Sequence, residues 1–275
     1  MKYAIFSDIH SNIQALKAAL EVCDKRKVDE IVCLGDVIGY NANPRECLEI
    51  AQNRFKLTIQ GNHDKMVAQG VNSSDWAKWN AKALQAIEYT ISKITTEDKQ
   101  WLSSLPNYSV IDDPKIPFSV GHGMPFECKH HDVFDYIIFS EKGRSVMKEF
   151  KSHKDNIRLA FFGHTHIPAI FRDITSEEDT RFMDSDMGGY LFDYDIALNE
   201  VGLENVVKGD EYIFINPGSI GQPRTECPPS FAILDTDEAE VELVKFDYDY
   251  KSAQEAIRKE GYCDALADRL DYERD

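Results

Sequence analysis

The chain has 275 residues, 43% hydrophobic and 29% charged, the composition of a globular protein with enough length for a substantial core. Its net charge of −17 argues against a broad electrostatic footprint for nucleic acid or an anionic membrane, but not against a small anionic substrate held by metal ions. No apolar run approaches a membrane span and the first residues turn polar too soon for a signal peptide, so the expected compartment is the cytoplasm.

Residues 2–7 read as a short buried strand, and residues 12–25 as an amphipathic helix with Ile13, Leu16, Ala19, Leu20 and Cys23 at helical spacing. A second strand is expected at 30–34. A helix is expected to start at Asn43-Pro44-Arg45-Glu46, with Asn as cap, Pro at the first helical position and Glu three after the cap, and to run to about residue 52. The third strand is expected at 55–59. This β-α-β-α-β opening argues for a right-handed, largely parallel arrangement.

Further on, Trp76, Trp79, Ala83, Leu84, Ile87 and Ile91 mark a helix over 74–93, followed by one over 96–103 capped by Thr95 or Thr96. Strands are expected at 108–111, 117–120, 158–162, 168–172, 212–215, 230–235 and 241–246, with helices at about 140–151 and from about 251. There is no internal repeat or linker, which favours one domain over residues 1–275. Between Asp173 and Glu211 lies an acidic insertion, expected to be a solvated excursion or a hairpin that caps a site. The six cysteines include no C-x-x-C pair and read as reduced thiols, with Cys33 in a strand of the core.

The chemistry sits at the strand ends. Four apolar runs end in Gly followed at once by a residue able to bind metal: Gly35-Asp36, Gly61-Asn62, Gly121-His122 and Gly163-His164. A fifth run, with Ser in place of Gly, ends in Ser7-Asp8-Ile9-His10. Ligands in α/β sheets bind outside the carboxyl ends of the strands, so five strands would deliver these residues to one edge. His10, His63, His122, His164 and His166 all fall there, five of the eight histidines. His130, His131 and His153 lie in polar context and read as surface residues. Oxygen and imidazole donors without thiolate suit Mn, Fe, Zn, Co or Ni.

Asp8-Ile9-His10, Gly35-Asp36, Gly61-Asn62-His63-Asp64, Gly121-His122 and Gly163-His164-Thr165-His166 resemble, in order, the five motifs of the calcineurin-like metallophosphoesterase superfamily. Gly39-Tyr40, Asn43-Pro44-Arg45-Glu46 and the run Asn216 to Arg224 resemble a branch of small bacterial and archaeal cytosolic phosphoesterases, some of which hydrolyse diadenosine tetraphosphate. The resemblance implies a four-layer α/β fold, two β-sheets packed face to face with helices outside. It implies two divalent transition-metal ions: Asp8, His10 and His166 on the first, Asn62, His122 and His164 on the second, and Asp36 bridging both. A metal-bridging hydroxide would attack phosphorus in line. His63 would stabilise the phosphate and protonate the leaving oxygen, and Asp64 would orient His63. Two such ions less two carboxylates leave the site at roughly +2, or +1 with the hydroxide, which attracts phosphate to an acidic chain.

Arg224 is the candidate grip for a second phosphate, a turn Arg being the alternative, and Tyr40 could stack on a base or simply pack in the core. The interval from His166 to Asn216 exceeds what the branch implies, because of the acidic insertion; folded over the metals, it would exclude large or highly charged substrates. The leading expectation is hydrolysis of a small phosphorylated molecule, a nucleotide or dinucleoside polyphosphate, with no nucleic-acid or membrane partner. The alternatives are a nuclease-like phosphodiesterase, disfavoured by the lack of a basic stripe, and a catalytically silent binding scaffold on the same fold.

Overall fold

Alternating side chains along each strand divide the molecule into layers. The computed structural model describes residues 1–70, 81–137, 141–153, 157–172, 201–202, 211–224, 227–261 and 264–271. One sheet contains β1 (Lys2–Phe6), β2 (Glu30–Cys33), β3 (Leu57–Thr58), β8 (Val201–Gly202), β10 (Ser230–Asp235) and β11 (Glu240–Lys245), in the order β3-β2-β1-β10-β11-β8. The other contains β4 (Tyr108–Ile111), β5 (Phe118–Gly121), β6 (Leu159–Phe161), β7 (Ala169–Arg172) and β9 (Ile213–Asn216), in the order β4-β5-β6-β9-β7. Strands β1, β2 and β3 are mutually parallel, as are β5, β6 and β9, and the remaining pairings, β1–β10, β10–β11, β11–β8, β4–β5 and β7–β9, are antiparallel.

Tyr3, Ile5, Val32, Leu34, Ala232 and Leu234 from the first sheet meet Phe118, Val120, Leu159, Phe161, Ile213 and Ile215 from the second in one buried cluster. The intervening residues Ala4, Phe6, Ile31, Cys33 and Phe231 face outward onto α1 (Ile13–Arg26) and α2 (Pro44–Arg54). On the far side Ala160, Phe162 and Phe214 pack on Val146, Met147 and Phe150 of α6 (Glu141–His153). The period of two therefore covers both faces of both sheets, and the four-layer α/β expectation holds.

The remaining helices are α3 (Asn62–Gln69), α4 (Ala81–Lys93), α5 (Thr96–Ser104), α7 (Tyr250–Lys259) and α8 (Asp264–Asp268). Asn12 caps α1 by accepting from the Ala15 N–H, and Thr95 caps α5 in a reciprocal box with Asp98. Three local expectations change. Asn43 makes no side-chain cap; its amide donates to Glu46, and Pro44 opens α2. Phe55 ends α2, its N–H donating to the Ala51 carbonyl, so β3 is only two residues long. Helix α3, absent from the sequence reading, begins directly at Asn62. Trp76 and Trp79 lie outside the described residues, as do 173–200 and 203–210 of the acidic insertion. Its described part, β8, pairs antiparallel with β11 at the sheet edge. The cysteines described, Cys23, Cys33, Cys47, Cys128 and Cys227, are free thiols.

Candidate metal centre

The parallel strands of both sheets end at one place. Beyond β1 come Asp8 and His10, beyond β2 Asp36, beyond β3 Asn62, beyond β5 His122, and beyond β6 His164 and His166. The loops are laced together through the backbone: Asp8 N–H donates to Gly35, His10 N–H to Asp36, and Gly163 N–H to His122. The loop after β9 binds in turn, with Ile220 N–H on Ser7 and Gly221 N–H on Asp8. Asn216 holds the Gly163 carbonyl and the Thr165 hydroxyl at 2.8 and 3.0 Å. Seven non-glycine residues here are left-handed, with φ of 53° at Asp8, 49° at His10, 58° at Ser11, 53° at Asp36, 56° at Tyr40, 68° at His164 and 62° at His166. Each such residue costs roughly 1–2 kcal/mol, so the strain is concentrated where the ligating residues turn inward. Gly61 is required at its position, because a Cβ there would collide with Asp36 Oδ1 and the Asp36 backbone.

Each carboxylate commits one oxygen to the protein and directs the other at imidazoles. Asp8 Oδ2 accepts from Ser7 Oγ at 2.6 Å and from His164 N–H at 3.1 Å. Asp8 Oδ1 is buried without a hydrogen-bond partner, 3.2 Å from His166 Nε2. Asp36 Oδ1 accepts the His63 N–H at 2.9 Å, while Oδ2 lies 3.5 Å from His10 Nε2 and 3.4 Å from His122 Nε2. The outer ring nitrogens are committed too: Nδ1 of His10, His122 and His166 faces the carbonyls of Ile38, Leu34 and Gln222 at 3.0, 3.0 and 2.6 Å. A carbonyl can only accept, so each Nδ1 carries a proton, and Nε2 is the ring nitrogen turned inward. His10 Nε2 and His166 Nε2 then face each other at 3.1 Å, and His122 Nε2 faces Asn62 Oδ1 at 2.9 Å and His164 Nδ1 at 3.1 Å.

Converging lone pairs and carboxylate oxygens in a buried space call for cations. Two groups meet the need, Asp8, His10, Asp36 and His166, and Asp36, His122 and His164, each with its ligand atoms within 4.8 Å of one another. They overlap at Asp36. Without metal, protons fill part of the gap. Burial would lower His122, but Asp36 and then Asp8 push it up to about 9, which favours a proton on the Nε2 that faces its three acceptors. Burial holds His10 well below its ordinary value, and holds His63 down to about 4 and His164 to about 3. Burial would raise Asp36 and Asp8, but His122 beside the one and His166 beside the other keep both low.

The neighbours of the cluster are also placed. The His63 ring lies 4.8 Å from His10 and 4.5 Å from Tyr40, whose own ring is 4.7 Å from His10. Burial pushes the Tyr40 phenol up to about 12, opposed first by the Arg224 guanidinium, which places that charge nearby. Arg224 is half-buried and its N–H approaches the His166 carbonyl at 3.5 Å. Asp64 lies behind the Asp36 loop and accepts the backbone N–H groups of Asp36, Val37, Ile38 and Gly61 at 2.8, 3.4, 3.4 and 3.0 Å. Burial and then Asp36 push Asp64 up to about 7, against the pull of those donors. Asp64 thus ties α3 to the Asp36 loop.

Ser7, Asn216, Gln222 and Tyr136 were not singled out in the sequence. Tyr136 stacks on His164 at 4.0 Å and 19°, with 43% of its surface exposed. Ser7 stood in the fifth strand-end motif and Asn216 and Gln222 in the Asn216-to-Arg224 run, while Tyr136 carried no sequence signal.

These features define a buried cluster of Asp and His side chains able to hold metal ions. The sequence matches the model of the Calcineurin-like phosphoesterase superfamily domain over residues 1–239, and the chain belongs to that family of phosphoester hydrolases. It is 34% identical to the uncharacterized protein MJ0912 of Methanocaldococcus jannaschii, over 97% of this chain and 96% of that one. The metallophosphoesterase from Sphaerobacter thermophilus is 28% identical, with 98% of each chain covered and a TM-score of 0.72. The hypothetical protein PH1004 from Pyrococcus horikoshii shares the fold at 20% identity and a TM-score of 0.69, with 98% of this chain and 97% of that chain covered. Among the described residues no helix is long and apolar enough to cross a membrane.

Proposed function

We propose that the chain is a dinuclear metal-dependent phosphoesterase acting on a small phosphorylated molecule, a nucleotide or dinucleoside polyphosphate being the leading class. The observation that carries this reading is the pair of donor groups sharing Asp36. Asp8, His10 and His166 would hold one ion, Asn62, His122 and His164 the other, and Asp36 both. When bound, such a pair supplies Lewis acidity, lowering the pKa of a water and neutralising charge on the phosphoryl group.

The chain's own residues do the rest. Carbonyl bonds to Nδ1 fix the tautomers and orientations of His10, His122 and His166, which keeps their lone pairs aimed inward. His63, neutral at pH 7, offers a ring N–H to a phosphate oxygen. A bound phosphate's negative charge raises the pKa of His63, and His63 can then give a proton to the departing oxygen. Asp64 acts at one remove, holding the backbone that carries Asp36. Arg224 binds a phosphate further along the substrate, and the Tyr40 and Tyr136 rings flank it. The centre is expected in the cytoplasm, with Mn, Fe, Zn, Co or Ni as the ions.

Turnover of bis-p-nitrophenyl phosphate, p-nitrophenyl phosphate and diadenosine tetraphosphate with Mn²⁺ tests the substrate class. Preference for diadenosine tetraphosphate supports it. Preference for the simple diester moves the assignment to a general phosphodiesterase, and no cleavage with two metals bound moves it to a silent scaffold.

A further inference from the structure

A second set of metal-binding side chains lies outside this centre. Cys128 and His131, in the segment following β5, and Glu149, on α6, bring one ligand atom each within 4.8 Å of one another. We propose that they bind a zinc-class divalent cation. Cys128 Sγ stands 3.2 Å from Glu149 Oε2, while Glu149 Oε1 is held by the Lys129 N–H at 2.6 Å, which leaves Oε2 directed at the sulfur. The His131 side chain is only 13% exposed, its Nδ1 lies 3.6 Å from Asp135 Oδ2, and its Nε2 is buried without a hydrogen-bond partner.

A simple thiol-to-carboxylate hydrogen bond accounts for two of these groups. Burial raises the Cys128 thiol, with Glu149 adding to the rise, so without metal the proton stays on sulfur. That arrangement leaves His131 Nε2 buried without a hydrogen-bond partner, a state that polar nitrogens rarely occupy. A cation takes the thiolate, the imidazole and the carboxylate at once and releases the thiol proton. Mixed sulfur, nitrogen and oxygen donors suit Zn²⁺, with ligand distances of about 2.0–2.3 Å that a small inward movement of the three atoms provides. The Asp135 carboxylate lies on the Nδ1 side of the His131 ring, which leaves Nε2 as the nitrogen for the metal. The same segment carries Phe134, 6.1 Å from His122, and Tyr136, stacked on His164, so the cation would brace that aromatic wall.

Co²⁺ titration of the chelator-treated full chain tests this, because the Asp/His centre contains no sulfur and only a Cys-bound cobalt gives thiolate-to-metal charge-transfer absorption. The expected result is a band whose full intensity corresponds to one Co²⁺ per chain beyond the two taken up by the Asp/His centre, that is bleached by Zn²⁺, and that is absent in Cys128→Ser. In Glu149→Gln and His131→Gln the Co²⁺ affinity falls by more than about tenfold, the least that even an outer partner costs. No band in wild-type protein with native circular dichroism overturns the proposal, as does a band surviving in Cys128→Ser or one that Zn²⁺ leaves unchanged. Phosphoesterase activity plays no part in the readout, so this test and that of the function fail separately.

Discussion

The two donor clusters are built on opposite principles. The Asp/His centre is assembled from five strand ends of two sheets, and every ligand group in its two metal-binding sets is buried. The Cys128–His131–Glu149 cluster joins a short local spacing to one helix position and is half-buried. The first has only oxygen and nitrogen donors with tautomers fixed by carbonyls; the second has sulfur and one stranded nitrogen. Chemistry on a phosphate requires a charged, pre-organised centre, and the strand-end architecture supplies the rigidity for one. A site that braces a segment needs only three nearby donors.

The sharpest way to break this comparison is at the residue both halves of the centre share. Asp36→Asn removes a charge between His10 and His122, and turnover should fall by at least about 10³-fold, some 4 kcal/mol of barrier, while the cobalt–thiolate signal at Cys128 persists. Next in size is His63→Ala: kcat should drop by about 10²–10⁴-fold, as for loss of a general acid, with bound metal unchanged by elemental analysis. Arg224→Ala should raise KM for diadenosine tetraphosphate by roughly 10–100-fold, the range of a charged hydrogen bond, with less effect on p-nitrophenyl phosphate; steady-state kinetics on both substrates check this.

The smallest effect concerns pH and the metal-free chain. His63 and His164 lie at about 4 and 3 when folded, so below the unfolded value of 6.5 the unfolded state binds more protons and stability falls as pH drops toward 4. His122, raised to about 9, has the opposite sign: its contribution is complete below 6.5 and is lost as pH rises through 9. The urea midpoint of metal-free protein should therefore peak near pH 6.5, with His63 alone contributing about 3 kcal/mol to the acid arm. Saturating metal should flatten the alkaline arm, since the ion replaces the His122 proton.

The Gly-then-ligand pattern exposed the strand ends because a buried parallel strand must be apolar and its exit must turn sharply, and both requirements act locally. Helix α3 escaped because its first residues, Asn62, His63 and Asp64, carry chemistry rather than apolar spacing. The carbonyls of Leu34, Ile38 and Gln222 that orient the imidazoles have no sequence signature at all, since every residue has a carbonyl and only the tertiary fold selects these three. Tyr136 and Glu149 were hidden for the same reason: stacking on His164 and the approach to Cys128 span 28 and 21 positions. His131, read as a surface residue, is largely covered by its own segment.

In the proposed function, two ions sharing Asp36 would make this centre active. Turnover of bis-p-nitrophenyl phosphate, followed as Mn²⁺ is added stepwise to chelator-treated protein, tests it most directly. Turnover should be absent in EDTA, complete once two ions per chain fill the Asp/His centre, and almost absent in Asp36→Asn at any Mn²⁺ concentration. Undiminished turnover in EDTA, or in Asp36→Asn, would contradict it.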